Sequence, residues 1–316
     1  MADKTGIEWT DTTWNPIRGC SRVSEGCRNC YAETVANRFK RSGQPYHGLI
    51  AKGGQWNGEV KLVDYKLEDP LHWIKPRRVF VNSMSDLFHE KVPEDYIWNV
   101  FAVMALTPRH TFQILTKRPE RMLKFMQHLN SSPDYLGDVA AQYVEYDKIP
   151  EHKHWPPRNI WLGVSVEDQL TADYRIALLM ESPAAVRWVS IEPMIGGVNL
   201  KKIAVGGGYV DALIGARPAW HPLDWVVVGG ESGHNARPMQ ADWVRNIRDQ
   251  CADTKTAFFF KQWGAWAPNW YNDDNGNMIP GSEWLDRTGQ KKAKPVLDGR
   301  EHTEWPNTET SYGNCK

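Results

Sequence analysis

Three of the five cysteines lie in one short stretch, Trp14-Asn-Pro-Ile-Arg-Gly-Cys20-Ser-Arg-Val-Ser-Glu-Gly-Cys27-Arg-Asn-Cys30-Tyr31-Ala-Glu33, spaced C-x6-C-x2-C. Thiolates at that density ligate metal or do redox work. The text turns helical from about Cys27 to about Lys40, with Ala32, Val35, Ala36 and Phe39 on one face. A loop that delivers two cysteines into a helix carrying the third brings three thiolates to a helix N-terminus, where the partial positive charge favours the ionised form. Three ligands leave one coordination position open, as a catalytic centre requires and a structural zinc site avoids.

Other fates for these thiols are open at this point. With His47 or His72 as a fourth ligand they would make a zinc site, although no second closely spaced ligand pair follows. Cys251 and Cys315 stand alone. The odd cysteine count and the lack of a secretory segment argue against a disulfide framework and for a reducing, cytoplasmic setting. Lys+Arg and Asp+Glu balance at 38 each, which removes the broad electrostatic case for a nucleic-acid binder but leaves room for a local basic groove. No apolar run is long enough to span a membrane. Sixteen tryptophans are many for this length.

The elements that would position the cysteines follow a rhythm. After a short first strand near 14–18 and a turn-rich stretch over 41–76, with a hairpin near 59–63 and a short helix near 67–74, buried apolar runs occur at 78–81, 111–115, 159–165, 186–191, 225–228 and 257–260. Helical patterns at 93–106, 118–129, 169–180 and 241–251 separate most of them. Strands alternating with amphipathic helices predict an α/β fold with a parallel sheet and crossover helices, a partial or complete TIM-like (β/α) barrel. Residues 1–263 would form that domain, interrupted by insertions at about 130–157 and 196–222, with 264–316 as a C-terminal extension or cap. The 130–157 insertion reads as a polar surface excursion or lid, and 297–300 as a hairpin turn.

Each run ends in polar or charged residues: Asn82 to Asp86, Thr116-Lys117-Arg118, Ser165 with Glu167, Ser190 with Glu192, Gly229-Gly230-Glu231 and Lys261-Gln262. Barrel enzymes carry their chemistry at this end of the strands. Solvation alone accounts for any one of these motifs, but less readily for six in succession. Gly229 and Gly230 permit close backbone approach to a ligand. No lysine follows them at phosphate-loop spacing. Met194 fits the wall of a cavity or the barrel core equally.

The cysteine spacing, the aromatic Tyr31 after the last cysteine and the following helix resemble the signature of the radical S-adenosylmethionine superfamily, with the first spacer lengthened to six. The run from Gly6 to Cys20 is also similar to a family of uncharacterised phage and prophage proteins with a three-cysteine motif, over most of the chain. The superfamily resemblance implies that Cys20, Cys27 and Cys30 bind a [4Fe–4S] cluster whose fourth iron takes S-adenosylmethionine. It implies Ser83, Ser85 and Asp86 at the methionine amino group, Lys117 or Arg118 at its carboxylate, and Ser165 and Glu167 at the ribose. It also implies backbone approach at Gly229 and Gly230 to the adenine. The Gly-Gly-Glu spelling follows a late strand here, where the superfamily has it after the second, so Glu231 is an independent candidate for substrate or cofactor contact and, with Glu192, a candidate catalytic residue. The implied chemistry is hydrogen abstraction by a 5′-deoxyadenosyl radical, with an electron donor such as flavodoxin or ferredoxin.

The phage-like similarity implies a nucleotide or nucleic-acid base as substrate, with Arg77, Arg78, Lys117, Arg118 and Arg121 as phosphate contacts or as solvated surface charge. Two other classes fit the residues. One is a metal-dependent hydrolase of nucleic acid using Asp86, Glu167, Glu192 and Glu231 as carboxylate ligands. The other is a non-catalytic, zinc-braced phage accessory protein.

Overall fold

Residues 5–152, 155–216, 218, 220–272, 278–286 and 295–307 are described by a computed structural model. In chain order it runs β1 (Thr12–Trp14), β2 (Ile17–Arg18), α1 (Tyr31–Arg38), β3 (Lys61–Leu62), β4 (Arg78–Val81), α2 (Glu94–Ala105), β5 (Thr111–Thr116), α3 (Pro119–Ser131) and α4 (Pro133–Ala140). There follow β6 (Ile160–Val166), α5 (Gln169–Glu181), β7 (Val186–Ile191), β8 (Ile203–Val205), β9 (Gly208–Val210), β10 (Trp225–Gly229), α6 (Ala241–Thr254) and β11 (Ala257–Gln262). β12 (Ala267–Asn272), β13 (Met278–Asp286), β14 (Val296–Leu297) and β15 (Arg300–Glu301) end the order.

The main sheet has seven parallel strands in the order β1-β4-β5-β6-β7-β10-β11. Every strand lies beside its successor in the chain, as in a (β/α) barrel; a doubly wound sheet would reverse direction at a switch point. β1 and β11 are its two edges, so the barrel pattern is partial. β6, β7 and β10 are buried along their whole length, as parallel strands with covered faces must be. The outer side of β11 is met by the 302–304 segment, where Phe260 N–H donates to His302 O at 2.8 Å.

The six apolar runs all form strands of this sheet. Three local expectations differ. The first strand is split into β1 and β2, because Pro16 lies between them. The 59–63 segment pairs with β2 across the chain and makes no local hairpin. The 130–157 insertion holds α4, which buries Leu136, Val139 and Ala140 and is thus more than a surface excursion. The 297–300 turn is present, with Asp298 at φ 50° and Gly299 at φ 77°.

By contact the chain divides into two compact units. One comprises Met1–Val23, Ala32–Gly163 and Ser182–Val186; the other Ser24–Tyr31, Val164–Glu181 and Arg187–Lys316. Among the described residues of these two units, eight of the sixteen tryptophans are buried. Trp9, Trp14 and Trp98 are fully buried in the first, and Trp188, Trp225 and Trp263 in the second. Trp225 packs on Trp188 and stacks on Trp305, with ring centroids 4.9 Å apart in the latter pair.

Candidate functional site: strand-end ion pairs that grip the cysteine loop

In the first unit the residues that lead into Cys20 are stitched to the loop after β4. Ser83 Oγ and Met84 N–H both donate to Asn15 Oδ1, at 3.1 and 3.0 Å. Ser85 Oγ donates to Ile17 O at 3.0 Å, and Gly19 bridges to Ser85. Asp86 is buried and accepts from Thr116 Oγ1 (2.7 Å), the Phe88 and Lys117 amides (3.0 and 3.1 Å) and Arg118 Nη1 (3.1 Å). Ser83, Ser85 and Asp86, expected at a methionine amino group, thus bond the protein's own atoms.

Arg118 extends from Asp86 to the cysteine. Its guanidinium donates to Cys20 Sγ at 3.8 Å, to Ser21 Oγ at 2.7 Å and to Glu90 Oε2 at 2.8 Å. Burial alone would make this guanidinium less basic; the charges of Asp86, Cys20 and Glu90 reverse that and raise its pKa. Burial is the largest single influence on the Glu90 carboxyl and would raise its pKa, yet the Arg118 hydrogen bond, a backbone hydrogen bond and the Arg118 charge together outweigh it and bring Glu90 down to about 2. His89 is fully buried and completes the group. Its Nδ1 accepts from Lys91 N–H at 3.2 Å, so Nε2 carries the proton and donates to Ser21 Oγ at 3.0 Å. Burial first, and then Arg118, lowers the His89 pKa, so the ring is neutral. Ser21 Oγ gives its own proton to Glu90 Oε1 at 3.1 Å and is fully satisfied.

Asn82 is the exception in this loop. It directly follows β4, has a left-handed backbone (φ 59°), is buried, and neither its amide oxygen nor its nitrogen has a partner among the described residues. A non-glycine residue at positive φ with an orphaned amide carries a cost of a few kcal/mol that a packed protein seldom leaves uncompensated. A side chain of this kind suits a polar ligand.

In the second unit two further ion pairs hold the residues around Cys27 and Cys30. Glu167 is buried at the end of β6, pairs with Arg175 Nη1 at 3.1 Å, and accepts from Ser24 Oγ at 2.8 Å. Gly26 lies so close that a Cβ there would meet Glu167 Cγ and Oε1 at 2.4 Å. Glu231, after β10, pairs with Arg237 (Nη2–Oε1 2.6 Å, Nε–Oε2 2.9 Å) and accepts from Asn29 Nδ2 at 3.0 Å. Arg237 Nη2 also donates to Glu25 O at 2.9 Å. Burial pushes the Glu231 pKa up, but its hydrogen bonds to Arg237 and Asn29 prevail and lower it. Cys27 ends a 3-10 turn, Glu25–Cys27, with its sulfur 3.9 Å from Ser24 Oγ. The helix expected from Cys27 begins at Tyr31, so all three cysteines belong to the loop. Of the helix's expected apolar face, Ala32 and Ala36 are buried while Phe39 is exposed.

A fourth pair stands at the ends of β7 and β11. Lys261 Nζ lies 2.8 and 2.9 Å from the two Glu192 oxygens, and Gln262 Nε2 donates to Oε1 at 3.1 Å. Ser165 Oγ bonds Glu192 O at 3.1 Å. Gly229 abuts the Glu192 carboxyl, and a Cβ at Gly230 would stand 2.0 Å from Trp263 O. Gly230 is therefore demanded by backbone packing. Lys117 is half-buried and bonds Asp86 through its backbone.

Sequence reasoning found the carboxylates and missed their partners Arg175 and Arg237, which lie on a helix and a loop where no motif marks them. Cys20, Cys27 and Cys30 are of intermediate exposure and Cys251 is buried, and none of the four is in a disulfide. Among the described residues no three His, Cys, Asp or Glu side chains are grouped to hold a single ion. No helix among the described residues is long and apolar enough to cross a membrane. No solved structure matches the chain. Over residues 4–306 it matches the family described as "Protein of unknown function (DUF5131)", and it belongs to that family.

Proposed function

We propose that the protein is a cytoplasmic, phage- or prophage-associated radical S-adenosylmethionine enzyme acting on a nucleotide or nucleic-acid base. The observation that supports this best is the cysteine loop: three cysteines outside any disulfide whose neighbours are fixed by strand-end ion pairs. Asp86–Arg118 acts on Cys20 and Ser21, Glu167–Arg175 on Ser24, and Glu231–Arg237 on Glu25 and Asn29. The spacer of six supplies Ser21, Ser24 and Glu25 as the points of attachment.

Three cysteine sulfurs are a donor set that an iron–sulfur cluster takes, although among the described residues they are not drawn into one group. An Arg N–H directed at a thiolate sulfur stabilises the ionised ligand and tunes its donation. When bound, a [4Fe–4S] cluster with S-adenosylmethionine supplies one-electron cleavage of the sulfonium and a 5′-deoxyadenosyl radical, the electron coming from a donor such as flavodoxin or ferredoxin. Cys20, Cys27 and Cys30 would hold the cluster, and Asn82 offers its amide NH2 and its carbonyl oxygen to the cofactor's polar end. Glu192 with Lys261 is the pair we assign to substrate, since their side chains keep 21% and 15% exposure. Glu231, 4% exposed and bound on both oxygens, we assign to positioning the loop.

A metal-dependent hydrolase needs carboxylates free to ligate. Asp86, Glu167, Glu192 and Glu231 each already carry a cation of the chain, which supports that reading less well.

The test is iron, acid-labile sulfide and zinc content after anaerobic reconstitution, with 5′-deoxyadenosine measured after reduction and addition of S-adenosylmethionine. About four iron and four sulfide per chain with deoxyadenosine formed is the expected outcome, with Cys20→Ala, Cys27→Ala and Cys30→Ala each losing the cluster while remaining folded. Stoichiometric zinc without iron would end the reading.

A further inference from the structure

Residues 34–58 contain Arg38, Lys40, Arg41 and Lys52 and no Asp or Glu. All four cations are exposed, and none forms an ion pair among the described residues. The local fold gathers them. Tyr46 N–H donates to Phe39 O at 3.1 Å and closes the 39–46 loop onto the end of α1. The 51–55 turn folds back so that Gly54 lies against Asn37, which brings Lys52 to the end of α1 that carries Arg38.

The same unit continues this charge through β2 and β3. Arg18 and Lys61 are direct partners in that two-stranded ladder. Like charges placed opposite one another are destabilising unless an anion screens them. Aromatic rings stand among the cations: the Arg18 guanidinium lies 5.7 Å from the Tyr46 ring centre and donates to Tyr65 Oη at 3.2 Å, and the Lys66 ammonium lies 5.8 Å from the Tyr65 ring. Tyr65 is 74% exposed. Of the bordering carboxylates, Glu33 is bound to Arg22, Glu59 to Lys91 and Asp69 to Lys66, while Asp64 stands at the rim.

The cations that the sequence put forward for phosphate are, by contrast, largely engaged. Arg78 pairs with Asp11 at 2.9 Å, Arg121 donates to the carbonyls of His89 and Val92, and Arg118 is bound as described. Arg77 lies over the Trp73 ring.

Unpaired cations tracking a face that also presents an exposed aromatic ring recognise a phosphodiester backbone whose bases are free to stack. We propose that Arg18, Arg38, Arg41, Lys52 and Lys61, with Tyr65, form a binding surface for single-stranded nucleic acid. Arg18 precedes Cys20 by two residues, so a strand held there leads to the cysteine loop. The surface deepens the substrate assignment above and rests on it only for the fate of the bound strand, since binding itself requires no cluster.

The experiment is fluorescence anisotropy of the full chain with a labelled mixed-sequence strand of about 20 nucleotides, as RNA and as DNA, against a duplex of equal length, from about 50 mM salt upward. The strand is expected to bind more tightly than the duplex, with log K falling by about 0.7 per phosphate contact for each decade of salt. The R38E/R41E/K52E variant is expected to weaken binding at least about tenfold and to flatten the salt slope by about 2. Tyr65→Ala is expected to weaken it about tenfold with the slope unchanged. K124E/K148E/K202E changes the net charge equally at other exposed lysines and is expected to retain affinity; thermal melting shows that each variant is folded. No strand binding near 50 mM salt, a preference for duplex, or equal losses in the two triple variants would overturn the proposal. Binding without deoxyadenosine formation would count against the radical reading alone, and deoxyadenosine formation without binding against this surface alone.

Discussion

The Arg118 guanidinium stands 3.8 Å from the Cys20 sulfur while its other contacts, Asp86, Glu90 and Ser21, lie at 3.1, 2.8 and 2.7 Å. Side-chain carboxylates on two sides fix the cation, and the cation stands where it favours negative charge on the Cys20 sulfur.

If Cys20 ligates a cluster as proposed, a cation beside it favours the reduced, more negative state. In reconstituted protein, Asp86→Asn/Arg118→Gln removes that cation together with its buried counter-charge. The midpoint potential is expected to fall by about 60 mV, the one-electron equivalent of a tenfold change. Arg118→Gln alone is expected to cost about 3–5 kcal/mol, because it strands the buried Asp86 carboxylate, and the double variant to regain most of that. Spectroscopic redox titration and chemical denaturation read the two effects separately. An unchanged potential in a folded double variant would show that Arg118 serves packing only.

Gly26 has room for hydrogen and nothing more, since a Cβ would meet Glu167 at 2.4 Å and Glu167 is itself held by Arg175. Gly26→Ala must displace either the buried carboxylate or the loop that carries Cys27. We expect a loss of about 1–3 kcal/mol by denaturation and a larger fractional loss of iron after reconstitution. Gly53→Ala, where a Cβ meets nothing within 4 Å, is the matched control and should retain both. Iron retention in Gly26→Ala equal to that of Gly53→Ala would remove Glu167 from the support of the cysteine loop.

Acid should weaken the fold below about pH 6.5, the value of an unperturbed histidine. His89, His110, His152 and His302 are each lowered from that value, burial being the first cause. Between the lowered values and about 6.5 the unfolded chain binds more protons, so their contribution is present above that window and is lost as pH falls through it. The carboxylates with lowered pKa, Glu90 and Glu231 among them, act in the same direction further down. Calorimetric melting against pH is expected to show a plateau near neutrality and a decline from about pH 6.5; a rise on mild acidification contradicts the assignment of neutral buried rings.

Much of this arrangement was legible in the chain. The strands from β4 to β11 on the main sheet are marked by mainly apolar runs, interrupted by Gln113 in β5 and by Arg187 and Ser190 in β7, since a parallel sheet covered on both faces leaves little alternation to confuse the reading. The strand-end carboxylates were visible for the same reason, each standing where its run stops. Arg118 and Lys261 were visible in the same way, but the other two cations were not. Arg175 lies eight residues beyond Glu167 on α5, and Arg237 six beyond Glu231 in a loop, so only the folded chain brings them together. β2 and β3 were obscured because each has two residues and their pairing spans more than forty positions. The basic face was hidden in a neutral total, because charge balance over the whole chain says nothing of the acid-free stretch from 34 to 58.

Asn82 gives the sharpest division between stability and function. Its left-handed φ of 59° and its two unpartnered amide atoms are both costs to the folded chain. Asn82→Gly relieves the backbone strain and removes the orphaned amide, so the variant is expected to be more stable by about 1–2 kcal/mol despite the added freedom of its unfolded state. If the amide exists to meet the cofactor, the same variant should bind S-adenosylmethionine about tenfold less tightly in equilibrium dialysis of the reconstituted protein, one charge-assisted hydrogen bond being worth about 1.5–3 kcal/mol. Stability gained with affinity unchanged would leave Asn82 as a strained residue without a ligand role. Stability lost would mean that its side chain supports the turn after β4. Only the combination of a firmer fold and a weaker ligand fits an amide held in reserve for a bound partner.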